Sequence, residues 1–232
     1  AEAQGVLQGA GRTSLDSSAF RLSRSDIDTG LKLWVLSFDL PGQKVNTLNE
    51  KVLRELPAVL DELERLGQSQ SIDALILSSP KKGNFLAGAD IELIQGIKTP
   101  QDAESLCARG HELFNRWEDL PFPTIAAIQG SCLGGGCEWA LASSAIVMST
   151  DPAAKIGLPE VLLGIFPGLG GTIRLPIRLG IAGGLDLILT GKSLSGDRAY
   201  KAGLADACLS KEGFDLQVAQ WVQKNIRALR AH

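Results

Sequence analysis

Apolar residues Val52, Leu53, Leu56, Val59, Leu60, Leu63 and Leu66 recur at three- and four-residue intervals, the repeat of one helix face. Thr47, with Glu50 three positions later, has the spacing of a capping box and is expected to open that helix. Upstream, residues 20–25 and 31–38 are short β-type runs around Asp28-Thr29-Gly30, a hairpin signal. Residues 72–78 form an apolar run of the kind found in parallel strands covered on both faces, and Thr124–Ile128 and Ala145–Ser149 read as further strands. A helix is predicted over about 101–120, with Pro121 and Pro123 marking its end. Another begins within 133–142, and the chain after Gly168 reads as mainly helical, ending on an amphipathic segment, Phe214–Leu229. Strands alternating with crossover helices predict an α/β fold with a largely parallel sheet.

Composition narrows the classes. The chain has 232 residues, 44% apolar and 21% charged, enough for one buried core without disulfides or a structural metal. Twenty-three Lys and Arg against 26 Asp and Glu leave no basic excess, so no nucleic-acid partner is expected. Cys107, Cys132, Cys137 and Cys208 include no C-x-x-C pair, and with two histidines, His111 and His232, they predict reduced thiols in a cytoplasmic protein and no metal site. Residues 1–18 are small and polar and read as a disordered leader, 19–210 as one domain, and 211–232 as a C-terminal helix. The stretch 125–148 is long and apolar, but Gln129, Glu138 and its glycines argue for strand, loop and buried helix and against a membrane span. Thr190-Gly191-Lys192-Ser193 resembles the end of a phosphate loop, yet Asp186 stands where the first glycine is required.

The chemistry clusters on glycines, 26 in all. After the strand Thr124–Ile128 come Gly134-Gly135-Gly136-Cys137-Glu138, opening a helix. Its first amides lack intrahelical partners and sit at the positive end of the helix dipole, which suits a developing oxyanion; glycines for tight helix–sheet packing, with Glu138 as dipole partner, are the simpler alternative. Glu138 lies one turn in, leaning back toward those amides. A second small-residue loop, Phe85-Leu86-Ala87-Gly88-Ala89-Asp90, precedes a short helix and could add one more amide; a plain turn with Asp90 as helix cap is the simpler alternative. Glu160, in Leu158-Pro159-Glu160-Val161, is an isolated carboxylate in an apolar stretch, where a raised pKa and general-acid chemistry are expected unless the loop is solvated.

In register, Asn46-Thr47-Leu48, Phe85 to Ile91, Cys132 to Glu138, Leu158 to Val161, Pro167-Gly168-Leu169-Gly170-Gly171-Thr172 and Leu189-Thr190-Gly191-Lys192 resemble the crotonase (enoyl-CoA hydratase/isomerase) superfamily. The likeness is greatest to the hydratase portion of multifunctional fatty-acid oxidation α subunits, which carry a similar Asp151-Pro152. The resemblance implies a crotonase fold of stacked ββα units, an acyl-CoA thioester substrate, and no cofactor beyond the coenzyme A of that substrate. It implies Glu138 and Glu160 as catalytic residues sharing a water, with the amides of Ala87 and Gly135 as oxyanion hole. Gly88, Ala89, Asp90, Gly134, Leu158, Pro159 and Gly168 would contact substrate. Lys44, Lys81 and Lys82 flank the relevant loops and are candidates for the CoA phosphates. Hydration of 2-trans-enoyl-CoA is the expected reaction; Δ3-Δ2 isomerisation and a non-catalytic acyl-CoA-binding module are the alternatives. A homo-trimer or hexamer, or a place in a multifunctional β-oxidation complex, is the expected assembly. Trp139 and Ile173 depart from the usual family residues. Relatives continue through further C-terminal helices, so the chain is either part of a longer protein or has a shorter helical end.

Overall fold

The computed structural model describes Leu15 and residues 17–230. In chain order the elements are β1 (Phe20–Arg24), β2 (Leu33–Phe38), α1 (Glu50–Gln68), β3 (Ala74–Ser78), β4 (Asn84–Leu86), α2 (Ile91–Gln95), α3 (Pro100–Glu118), β5 (Thr124–Ile128), β6 (Ser131–Leu133), α4 (Gly135–Leu141), β7 (Ala145–Ser149), β8 (Lys155–Gly157), a 3₁₀ turn (Glu160–Leu163), α5 (Gly171–Thr190), β9 (Ser193–Ser195), α6 (Gly196–Ala202), β10 (Ala207–Leu209) and α7 (Phe214–Leu229). They build two sheets, one ordered β1-β2-β3-β5-β7-β10 and the other β4-β6-β8-β9. In the larger sheet only β1 and β2 pair antiparallel; β2, β3, β5, β7 and β10 run parallel. In the smaller, β4, β6 and β8 are parallel and β9 returns antiparallel.

The stacked ββα architecture follows from how the sheets alternate. Strands β3, β5 and β7 of the large sheet are each followed by a short strand of the small one, β4, β6 and β8, and then by helical chain. The large-sheet strands are buried on both faces. Ile125 and Ala127 face α7, whose Phe214, Val218, Ala219 and Val222 cover that side. Ala126 and Ile128 face the main core under α1, α3 and α4. Two-sided burial explains why these strands read as continuous apolar runs rather than alternating ones. Every apolar position assigned to the α1 face is buried. Trp139, an unusual choice, fills the core centre against Phe20, Phe38, Phe114 and Trp117, and so anchors α4.

Some expectations need correction. Thr47 does not cap α1. Leu48 forms a bridge with Ala89, which keeps 47–48 extended, so the helix starts later and Asn49 accepts the Val52 N–H. The segment 84–86 is a strand rather than loop, and β9 and β10 interrupt the region read as helical. As expected, 190–193 is no phosphate loop: Gly191 is the left-handed C-cap of α5 and Lys192 pairs with Asp186. Apart from Leu15, Ser17 and Ser18, the leader expected over 1–18 lies outside the described residues. Ser17 and Ser18 both bond the Glu55 carboxylate. Among the described residues no helix is long and apolar enough to cross a membrane.

Candidate active site

Three parallel strands, β4, β6 and β8, lie side by side, and the three chemical segments leave their carboxyl ends. Leu86 leads into Ala87 to Asp90, Leu133 into Gly134 and Gly135, and Gly157 into Leu158, Pro159 and Glu160. Parallel strands thus converge loops from distant sequence onto one edge, the usual location of α/β sites.

The segment 87–90 is bulged. Ala87 N–H donates to the Asn46 carbonyl at 2.8 Å, and Leu48 N–H to the Gly88 carbonyl at 2.8 Å. Regular pairing would use the Gly88 amide at the first of these positions; Gly88, at φ +98°, absorbs the extra residue. The Ala87 amide is therefore occupied and is not an oxyanion donor, which corrects the expectation for that residue. Bonds to Leu48 use the Gly88 carbonyl and the Asp90 N–H, the groups on either side of Ala89. The Ala89 N–H consequently points away from Leu48 and toward α4: a Cβ built on Gly135 would lie 3.7 Å from it. Gly135 is the first residue of α4, and Glu138 N–H to the Gly134 carbonyl is the first intrahelical bond, so the Gly135 amide has no helical partner. Ala89 and Gly135 are the pair of amides that the fold brings together. A Cβ on Gly88 would stand 3.1 Å from the Leu133 carbonyl, so glycine is what lets the two loops approach.

Glu138 is 1% exposed, and its Oε1 accepts N–H groups from Leu169 at 2.7 Å and Gly171 at 2.8 Å. Burial raises its pKa, while the two amides and the Arg174 charge pull it back down. These two amide donors were not foreseen; the Gly168-to-Gly171 run was the available signal, but it named no partner. Glu160 opens the 3₁₀ turn, with Oε1 against Gly134 and Oε2 buried without a hydrogen-bond partner. Burial, reinforced by the Glu138 charge, raises its pKa to about 7. Two neighbouring carboxyls of unequal proton affinity result, one held by two amides of a facing loop and the other with one oxygen unpartnered.

Other expected contacts have structural work. Asp90 caps α2 by accepting the Glu92 N–H, and also accepts the Thr47 hydroxyl. Leu158 is fully buried beneath Gly171 and seats the loop that Pro159 carries into the 3₁₀ turn. Gly168 packs on Cys107 of α3, where a Cβ would fall 2.9 Å from the sulfur. Gly134, at φ +54°, has no room for a side chain beside Glu160. Lys81 is tied to Asp39 and to the carbonyls of Leu40 and Gln43, whereas Lys44 and Lys82 are exposed. All four cysteines are free, and no group of three or more metal-binding side chains occurs among the described residues.

A family model described as enoyl-CoA hydratase/isomerase matches residues 32–232. The chain belongs to the enoyl-CoA hydratase/isomerase family. It is 44% identical over 209 residues to the fatty acid oxidation complex subunit alpha of Vibrio vulnificus strain CMCP6, covering 90% of this chain and 29% of that protein. The corresponding subunit of Aliivibrio fischeri strain ATCC 700601 / ES114 is 46% identical over 192 residues, 83% of this chain and 27% of its own. The chain thus spans under a third of the length of these relatives. An enoyl-CoA hydratase structure from Geobacillus kaustophilus HTA426 superposes with a TM-score of 0.81 at 26% identity, over 93% of this chain and 76% of that one. One from Bacillus anthracis gives 0.76 at 28% identity, over 89% and 76%.

Proposed function

We propose that the chain is an enoyl-CoA hydratase of fatty-acid oxidation, adding water across the 2,3 double bond of a 2-trans-enoyl-CoA to give the 3-hydroxyacyl-CoA. The observation that carries this reading is the pair of buried carboxyls, Glu138 and Glu160, beside two convergent amides, Ala89 and Gly135. The thioester oxygen accepts both N–H groups, which draws electron density from C3 and stabilises the enolate as it forms. Glu138, ionised and fixed by Leu169 and Gly171, takes a proton from water as its oxygen bonds to C3. Glu160, neutral below its pKa of about 7, gives its proton to C2. Glu138 ends protonated and Glu160 ionised, and proton exchange with solvent resets both. The names borne by the Vibrio and Aliivibrio relatives support the metabolic setting.

Glu138→Gln and Glu160→Gln are each expected to lower kcat for hydration of a short 2-enoyl-CoA by about 10²–10⁴-fold, followed as loss of enoyl-thioester absorbance. Hydration surviving in Glu138→Gln would overturn the assignment. Loss of hydration with Δ3-Δ2 isomerisation intact would show that Glu160 alone shuttles a proton.

We further propose that the chain works in a larger assembly. Support comes from an apolar face formed by Leu162, Leu163 and Phe166 with Ile173, Ile177 and Ile181 of α5, each more than half exposed.

A further inference from the structure

The loop 167–171 presents the two amides that hold Glu138, and one side chain holds the loop. Arg174 lies in the first turns of α5 with its side chain 11% exposed. Its Nη1 donates to the Leu169 carbonyl at 3.3 Å. Nη2 donates to Asn115 Oδ1 at 2.7 Å, and Nη2 and Nε donate to Glu118 Oε2 at 2.7 and 3.0 Å. A single planar guanidinium therefore ties the Leu169–Gly170 peptide, which lies between the two peptides whose N–H groups reach Glu138, to the last turns of α3. Glycines make the fit possible. A Cβ on Gly170 would collide with Nη1, and one on Gly110 of α3 would collide with the Leu169 side chain packed there.

We propose that Arg174 is a positioning residue for Glu138: by fixing the Leu169 carbonyl to α3 it keeps the Leu169 and Gly171 N–H groups on Glu138 Oε1, and its charge favours the carboxylate. The inference rests on Glu138 as the hydration base. The electrostatic part has the right sign, since Arg174 lowers the pKa of Glu138 against the effect of burial. Other groups facing Glu138 are Glu160 from the 3₁₀ turn, Cys107 from α3 and Cys137 on α4. Both thiols have raised pKa values and stay neutral near pH 7, whereas Glu160, with a pKa of about 7, changes charge there. Glu118 pairs with Arg174, and His111 of α3 lies across Gly170 from it. Loss of the guanidinium removes a nearby cation and frees the Leu169–Gly170 peptide, which loosens the flanking Leu169 and Gly171 N–H groups, and both raise the proton affinity of Glu138. Lysine keeps the charge but lacks the fork that reaches three acceptors at once.

The test uses Arg174→Gln, Arg174→Lys and Glu118→Gln in the whole chain. Two readouts are taken: the pH profile of enoyl-CoA hydration, and ¹³C NMR titration of the Glu138 carboxyl, assigned with Glu138→Gln. For Arg174→Gln, kcat is expected to fall about 10–10²-fold, as for a misplaced catalytic group, with KM little changed. The acid limb and the Glu138 titration should both move up by about one pH unit. Arg174→Lys should recover much of the titration shift but little of kcat. Glu118→Gln, which removes the counter-charge and leaves the guanidinium, should move the titration down. A role confined to folding would lower the melting temperature and the active fraction without moving the Glu138 titration. An unmoved titration in both Arg174→Gln and Glu118→Gln would overturn the proposal. Should Arg174→Gln not fold, the lysine and Glu118 variants decide. Hydration surviving in Glu138→Gln would instead remove the reading of Glu138 as base, and the titration shifts remain measurable in that case.

Discussion

At Glu160 a carboxyl oxygen is buried without a hydrogen-bond partner, and its pKa stands at about 7 against an ordinary 4.5. The folded chain binds this proton more tightly than the unfolded chain does. Its contribution to stability is therefore full below about pH 4.5 and is lost as pH rises through 7. Glu160→Gln stays neutral throughout, so its stability relative to wild type is expected to improve between pH 5 and 8 by ~1–2 kcal/mol, discounted for partial solvent screening. Thermal melts of both proteins at the two pH values check this; a difference independent of pH would contradict it. Gly88 offers a second test at the same scale. Alanine there must adopt φ +98° with its Cβ 3.1 Å from the Leu133 carbonyl. The strain costs about 1–2 kcal/mol, and relaxing it would restore regular pairing and turn the Ala89 N–H away from the cleft. Gly88→Ala is expected to lower kcat about 10²-fold, the scale of one lost oxyanion donor, whereas a change in melting temperature alone would count against the Ala89 assignment.

Among the elements, α1 shows how tertiary pairing moves a helix start. Thr47 and Glu50 satisfy the capping pattern, but the bridge from Leu48 to Ala89 holds the chain extended, and the cap passes to Asn49. Asn49→Ala is expected to cost about 1 kcal/mol in urea unfolding. Thr47→Ala should spare the helix and loosen only the bond to Asp90, so equal effects of the two would refute this capping. The step from β5 to β6 is equally constrained: Gly130 passes so close to the Gly83–Asn84 backbone that any Cβ would collide with it. Three-residue strands such as β4, β6 and β8 carry too few residues for alternation to show, so the sequence pattern missed them. Their partners, 24 to 47 residues away, are what make them strands.

Across the whole molecule, the small sheet sets the place of the candidate site, because β4, β6 and β8 end side by side and bring residues 89, 135 and 160 to one edge. The same layout packs Leu175, Leu187 and Ile188 of α5 into the core and leaves the opposite apolar face of α5 and the 3₁₀ turn uncovered. Ile173, Ile177 and Ile181 are 61, 79 and 74% exposed, a stripe repeating every four residues, although Gly180 breaks the helical conformation within it. Contiguous exposed apolar stripes are common at protein contacts, which is why this one supports the proposed assembly. Ile177→Asp is expected to reduce self-association in sedimentation velocity, with the fold unchanged by circular dichroism. Identical monomeric behaviour of wild type and variant would remove self-assembly from the proposal.

By itself the sequence determined the elements whose period is long enough to read: the α1 face, the doubly buried strands β3, β5 and β7, and the amphipathic α7. It also pointed to Glu138, Glu160 and Gly135 as candidates, since carboxylates in apolar stretches and glycines opening a helix are local facts. Only the tertiary structure decided that Ala89 rather than Ala87 faces Gly135. That outcome depends on the sign of φ at Gly88 and on acceptors at Asn46 and Leu48, some forty residues away. The structure likewise decided that Leu169 and Gly171 hold Glu138, because the direction of a single amide follows from the packing of its loop and from no property of its own side chain.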